Sequence, residues 1–107
     1  MAGETILVVE DDDDIREMIQ LHLTRDGYKV LEAADGERGW QLAQDRLPEV
    51  VLLDLMLPRR DGLEVCRLMK QEAKTRHIPV IMLTAKSEDS DIVAGLELGA
   101  EDYITKP

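Results

Sequence analysis

Alternation constrains this chain more than any other feature: short apolar runs take turns with stretches of helical spacing. Residues 5 to 9 read TILVV, a β-branched run suited to a strand. Glu10 to Asp14 then supply carboxylates for a helix start, and Ile15, Met18, Ile19 and Leu23 recur at helical spacing. Asp14 with Glu17 three residues on has the form of a capping box, and Gly27 stops this helix. Tyr28 to Ala33 is a second, weaker strand, interrupted by Lys29 and Glu32. Asp35-Gly36 reads as a turn. Trp40, Leu42, Ala43 and Leu47 mark a second helix that Pro48 ends. Val50 to Leu53 is a third strand, and Pro58 to Gly62 a loop. Leu63, Cys66, Leu68 and Met69 belong to a third helix running to about Lys74. After Pro79, Val80 to Leu83 form a fourth strand. Ser87 or Asp89 starts a fourth helix with Ile92, Val93, Leu96 and Leu98, and Gly99 is its natural C-cap. Tyr103 to Thr105 is a short closing strand.

This is β-α repeated four times plus a last strand. Helix-length connections between strands imply a parallel sheet with right-handed crossovers. The first, third and fourth strands are continuously apolar, as strands covered on both faces should be. The second and fifth are short and mixed, as edges should be. The doubly wound order 2-1-3-4-5 places them there. Ligands in such a sheet bind beyond the carboxyl ends of the strands, at the switch between strands one and three.

Composition sets the outer limits. At 107 residues the chain is expected to be one domain, residues 1–107, with one modest core. Only Tyr28, Trp40 and Tyr103 are aromatic, so aliphatic residues and methionine must build that core. A formal net charge of -10 argues against direct contact with nucleic acid phosphates and suits basic partners or divalent cations. Cys66 is the only cysteine, which excludes an internal disulfide and fits a reducing cytoplasm. The opening MAGET has neither the basic nor the apolar region of a secretory leader. No apolar run approaches the roughly 20 residues that cross a membrane.

The residues at the strand exits matter most. Glu10 and Asp11 come directly after the first strand, Asp54 ends the third, Thr84 the fourth, and Lys106 the fifth. These five residues therefore gather on one edge of the sheet. Asp54 interrupts the run VVLLDLMLP, where an unpaired carboxylate would cost several kcal/mol among apolar side chains. At a strand end it opens instead into a shared site. Clustered carboxylates repel one another unless a cation intervenes. A hard ion such as Mg2+ prefers oxygen ligands. The Lys106 ammonium offers a second counter-charge, and the Thr84 hydroxyl a hydrogen bond to an anionic oxygen. Such a set neutralises and orients a phosphoryl group. A carboxylate is a plausible nucleophile there, forming an aspartyl phosphate, and Asp54, apart from the acidic run, is the candidate.

Taken singly, each of these residues has a plainer role. Asp12, Asp13 and Asp14 read as helix N-terminal charge, worth roughly 0.3–1 kcal/mol each with the dipole. Thr84 alone would be a cap, Lys106 a solvated lysine, Tyr103 edge-strand packing. His22 and His77 are isolated, Cys66 reads as buried and inert, and the methionines as core filler. Those separate roles do not explain why five polar residues sit at strand ends.

The segments ILVVEDD (6–12), LLDLMLPRRDG (52–62), PVIMLTA (79–85) and GAEDYITKP (99–107) resemble, in order and spacing, the receiver domain of bacterial two-component response regulators. The wording is most similar to the branch whose receivers precede a winged-helix DNA-binding output domain. The resemblance implies a flavodoxin-like α/β fold and a phosphorylation-controlled switch that catalyses its own phosphorylation and dephosphorylation without turning over a separate substrate. It implies that a histidine kinase phosphorylates Asp54, and that Asp11, Asp54 and the Met56 backbone carbonyl bind Mg2+, with Glu10 acting through water. Thr84 and Tyr103 would be the switch pair, Lys106 would contact the phosphoryl group, and a cis Lys106-Pro107 bond is typical. The family has a fifth helix after this Lys-Pro pair, whereas this sequence stops at Pro107. A receiver lacking that helix is expected to leave strands three to five bare on the side of the first helix, favouring self-association. Two rival readings remain: a phosphate-independent interaction module, which predicts no Mg2+ binding, and a Mg2+-dependent phosphohydrolase. The second is disfavoured because Leu55, Met56 and Leu57 come after Asp54, leaving no second acid two residues on to serve as general acid.

Overall fold

The structure is a computed structural model that describes residues 3–84 and 89–105. Nine elements alternate through it: β1 (Thr5–Val9), α1 (Asp13–Arg25), β2 (Lys29–Ala33), α2 (Gly36–Arg46), β3 (Val50–Asp54), α3 (Gly62–Gln71), β4 (Val80–Thr84), α4 (Asp89–Leu98) and β5 (Asp102–Thr105). The five strands form one parallel sheet in the order β2-β1-β3-β4-β5. The apolar strands are thus central and the mixed ones are edges, as their composition requires.

Strand periodicity divides the side chains between two faces. Leu7, Val9, Val51, Leu53, Val80 and Met82 join Leu42, Ala43, Val65, Cys66 and Met69 in the main core, beneath α2 and α3. Ile15, Met18, Ile19 and Leu23 of α1 line a groove with Leu52, Leu83 and Ile104 on the other face. That groove holds about 250 Å3, and its walls are almost wholly apolar. Among the described residues no helix covers it, and Ile104 stays 51% exposed.

Several local expectations need correction. The N-cap of α1 is Asp12, not Asp14: its side chain accepts from the backbone N–H groups of Asp14 and Ile15. Asp35 caps α2 by accepting from the Arg38 N–H at 2.8 Å, so Asp35-Gly36 starts a helix instead of making a free turn. Leu47 adopts the left-handed conformation, φ 45 and ψ 61, as a C-cap of α2, and its N–H donates to the Ala43 carbonyl at 3.2 Å. The third helix stops at Gln71, short of Lys74. There the buried Thr75 hydroxyl donates to the Met69 carbonyl at 2.8 Å and folds the chain back. Gly27 and Gly99 close their helices with φ of 96 and 114, as expected of glycines in that place. Ser87, Lys106 and Pro107, and with them the cis bond, lie outside the described residues.

Candidate functional site

Asp54 is the last residue of β3, in register with Leu83, so Thr84 stands one step further along β4. The Leu55 N–H still donates to the Leu83 carbonyl at 3.3 Å, which carries the sheet just past the acid. Glu10 continues β1 in the same way, its N–H donating to the Ala33 carbonyl at 3.0 Å. The β1–β3 ladder, with Val9 in register with Leu53, sets these two strand ends side by side. One carboxylate oxygen from each of Glu10, Asp11 and Asp54 lies within 4.8 Å of the other two.

The three acids differ in depth. Glu10 is 0% and Asp54 1% exposed, while Asp11 faces solvent. Asp54 thus lies deeper than a position at the mouth of a site suggests. The backbone helps to tolerate this. Met56 N–H donates to Asp54 Oδ1 at 3.1 Å, and Asp12 N–H donates to Glu10 Oε2 at 3.0 Å. Charge-assisted bonds of this kind orient each carboxylate and offset part of its desolvation. They do not supply a counter-charge for three acids, and a hard cation with oxygen ligands suits such a set. The donor set therefore fits a divalent ion.

Thr84 is 2% exposed at the end of β4. Tyr103 lies on the edge strand β5, opposite Met82, and is 42% exposed. Met56 belongs to the loop leaving Asp54, and its side chain is exposed. Lys106 falls outside the described residues. The structure thus gathers Glu10, Asp11 and Asp54 and sets Thr84 at the neighbouring strand end. His22 and His77 are both exposed and lie outside this cluster.

Two arginines in the neighbourhood escaped the sequence reading. Arg16 Nη1 donates to the Glu10 carbonyl at 2.8 Å, and its other nitrogens meet Asp13 at 2.7 Å and Glu32 at 3.4 Å. The hydrogen bond to Asp13 chiefly holds its pKa above the ordinary arginine value, against the cost of burial. Helical spacing from Asp13 was the available signal. Arg60 binds Glu37 and Glu64, and only the Glu64 pair had a local spacing to betray it.

The sheet order and the strand-end acids define a doubly wound signalling fold. Residues 6–107 match the response regulator receiver domain family, and the chain belongs to it. Its function is that of a phosphorylation-controlled signalling domain and not of an enzyme with a separate substrate. It is 49% identical over 107 residues to the phosphate regulon transcriptional regulatory protein PhoB of Pseudomonas aeruginosa, covering 100% of this chain and 47% of that protein. It is 48% identical to the alkaline phosphatase synthesis transcriptional regulatory protein PhoP of Bacillus subtilis, covering 98% and 43%. The chain thus spans about half the length of these curated relatives. The Mn2+-bound form of response regulator Rcp1 superposes with a TM-score of 0.89 at 31% identity, over 97% of this chain and 81% of that one.

Proposed function

We propose that Asp54 is the phosphoacceptor of a Mg2+-dependent switch fed by a histidine kinase. The observation behind this reading is the convergence of Glu10, Asp11 and Asp54 oxygens within 4.8 Å beside the buried Thr84. Asp11, Asp54 and the Met56 carbonyl would hold the ion, with Glu10 acting through water. When bound, Mg2+ supplies charge neutralisation and orientation of phosphoryl oxygens. That Rcp1 was solved with Mn2+ supports a divalent site in this family.

In the transfer, an Asp54 oxygen attacks phosphorus in line. The bond from phosphorus to the donor imidazole nitrogen breaks, and its electron pair leaves on that nitrogen. The Thr84 hydroxyl donates to a phosphoryl oxygen, and Lys106 offers the second cation. Tyr103 moves after Thr84, changing the α4 and β5 surface that an output partner reads. A shift of this kind needs a few kcal/mol of differential interaction between the two states. Later attack by water on the aspartyl phosphate returns Asp54 to its free form, so the domain catalyses its own resetting.

The transcriptional regulatory relatives support a DNA-binding output domain as that partner. The acidic charge of this segment leaves DNA contact to that domain. Among the described residues no helix is long and apolar enough to cross a membrane. On this reading the module works in the cytoplasm. Residues 1–107 are read as one receiver domain, and the apolar groove of Leu52, Leu83 and Ile104 beside α1 as a face that favours self-association.

Incubation with acetyl phosphate and Mg2+, followed by mass spectrometry, tests the acceptor. One added phosphoryl group is expected, absent in Asp54→Asn. Equal labelling of that variant would remove Asp54 from the role.

A further inference from the structure

We infer that Arg60 is a positioning residue that clamps the β3–α3 loop onto α2 and so sets the spacing of the acidic site. The inference rests on the reading of Glu10, Asp11 and Asp54 as a cation site. Residues 55–61 leave Asp54, carry Met56, and return at Gly62, whose N–H donates to the Leu55 carbonyl at 3.2 Å. Arg60 Nη2 meets Glu37 Oε2 at 2.9 Å and Oε1 at 3.3 Å, and Nε meets Oε2 at 3.3 Å. Its Nη1 donates to Glu64 Oε2 at 3.1 Å. One guanidinium thereby joins the loop to the first turns of α2 and α3. The planar fork suits this, because it fixes direction as well as charge.

Other contacts act in the same sense. The Gly36 N–H donates to the Pro58 carbonyl at 3.3 Å. A Cβ on Gly36 would collide with the Arg60 carbonyl oxygen, so the loop lies flush against the start of α2. The same helix bears on the other acid-bearing strand. A Cβ on Gly39 would stand 2.8 Å from Val9 Cγ2, and Val9 immediately precedes Glu10. Helix α2 is thus a bracket between the exit of β1 and the loop after β3. The Arg60–Glu37 pair is its side-chain fastening.

A plain surface ion pair would add little to stability and nothing to cation binding. Charge separates the two roles. Arg60→Ala removes a positive charge near the acids, so through-space electrostatics alone would tighten Mg2+ binding. Loss of a clamp would weaken it. Calorimetric titration with MgCl2 should give a Kd about tenfold higher for Arg60→Ala, the lower range for losing an outer partner of a metal site. Glu37→Gln should weaken binding similarly, and the double variant no further than either single one. Melting in EDTA should change little, and amide exchange at Met56 should quicken in both variants without any metal. Unchanged or tighter Mg2+ binding by Arg60→Ala would overturn the clamp while leaving the site reading intact. Failure of the unaltered chain to bind Mg2+, or full binding by Asp11→Asn, would overturn both.

Discussion

Gly62 leaves Asp54 no room to shift: a Cβ there would collide with the Asp54 carbonyl oxygen and stand 2.7 Å from Leu55 Cα. The crowded atoms are backbone, so no side chain can rotate away. Gly62→Ala must push the first turn of α3 off the end of β3 or drag Asp54 with it. A loss of about 1–3 kcal/mol is expected from such overpacking. Phosphate incorporation from acetyl phosphate should fall by more than that stability loss explains. Urea unfolding and mass spectrometry together check this. Wild-type behaviour in both would mean that the loop moves aside freely.

Asp12→Ala should cost about 1 kcal/mol, the usual worth of an N-cap side chain. Its oxygen serves two N–H groups, at 2.9 Å and 3.1 Å, at the start of α1. Glu17→Ala should cost far less, because no capping box includes it. Chemical denaturation of the two variants decides between the observed cap and the one the spacing suggested.

That cap marks how far the residues could be read. The central strands were legible because their apolar runs tolerate no other place, and the second strand as an edge because Lys29 and Glu32 would be costly at the centre, while Asp102, which opens β5, was not read as part of it. Asp11 and Asp54 were legible because strand ends in this topology converge. The choice of Asp12 over Asp14 was not, since four adjacent aspartates offer equivalent local signals and tertiary docking selects the register. Depth was not legible either. Glu10 and Asp54 are buried by what packs around the strand ends, which no spacing records. The Arg60–Glu37 pair spans 23 positions, beyond any local pattern.

Burial of Cys66 on the inner side of α3 pushes its thiol pKa up, Lys70 opposing the shift and Glu101 adding to it. A raised native pKa means that the thiol contributes its full stability below the ordinary thiol pKa. That contribution is lost as pH rises toward the native value, because the unfolded chain releases the proton first. Stability should therefore fall above about pH 8.5, where free thiols ionise. Cys66→Ala should be less stable throughout, with a shallower alkaline decline. Denaturant midpoints measured from pH 7 to 10 test the slope. A parallel decline in both proteins would assign it to other groups.

Mg2+ should raise the melting temperature, and Asp54→Asn should do so without it. Glu10, Asp11 and Asp54 bring their oxygens within 4.8 Å, so the metal-free domain holds like charges together. A ligand that binds only the folded state stabilises by mass action, about 2.7 kcal/mol at a hundredfold excess over its Kd. For a domain of this size each kcal/mol moves the melting temperature by roughly 4–8 °C. Removing the Asp54 charge relieves the repulsion and also deletes a ligand. The variant should melt higher than the unaltered chain in EDTA yet gain less from added Mg2+. Sodium chloride at equal ionic strength controls for general screening. If the unaltered chain ignores millimolar Mg2+, the phosphate-independent interaction module becomes the better account of these acids.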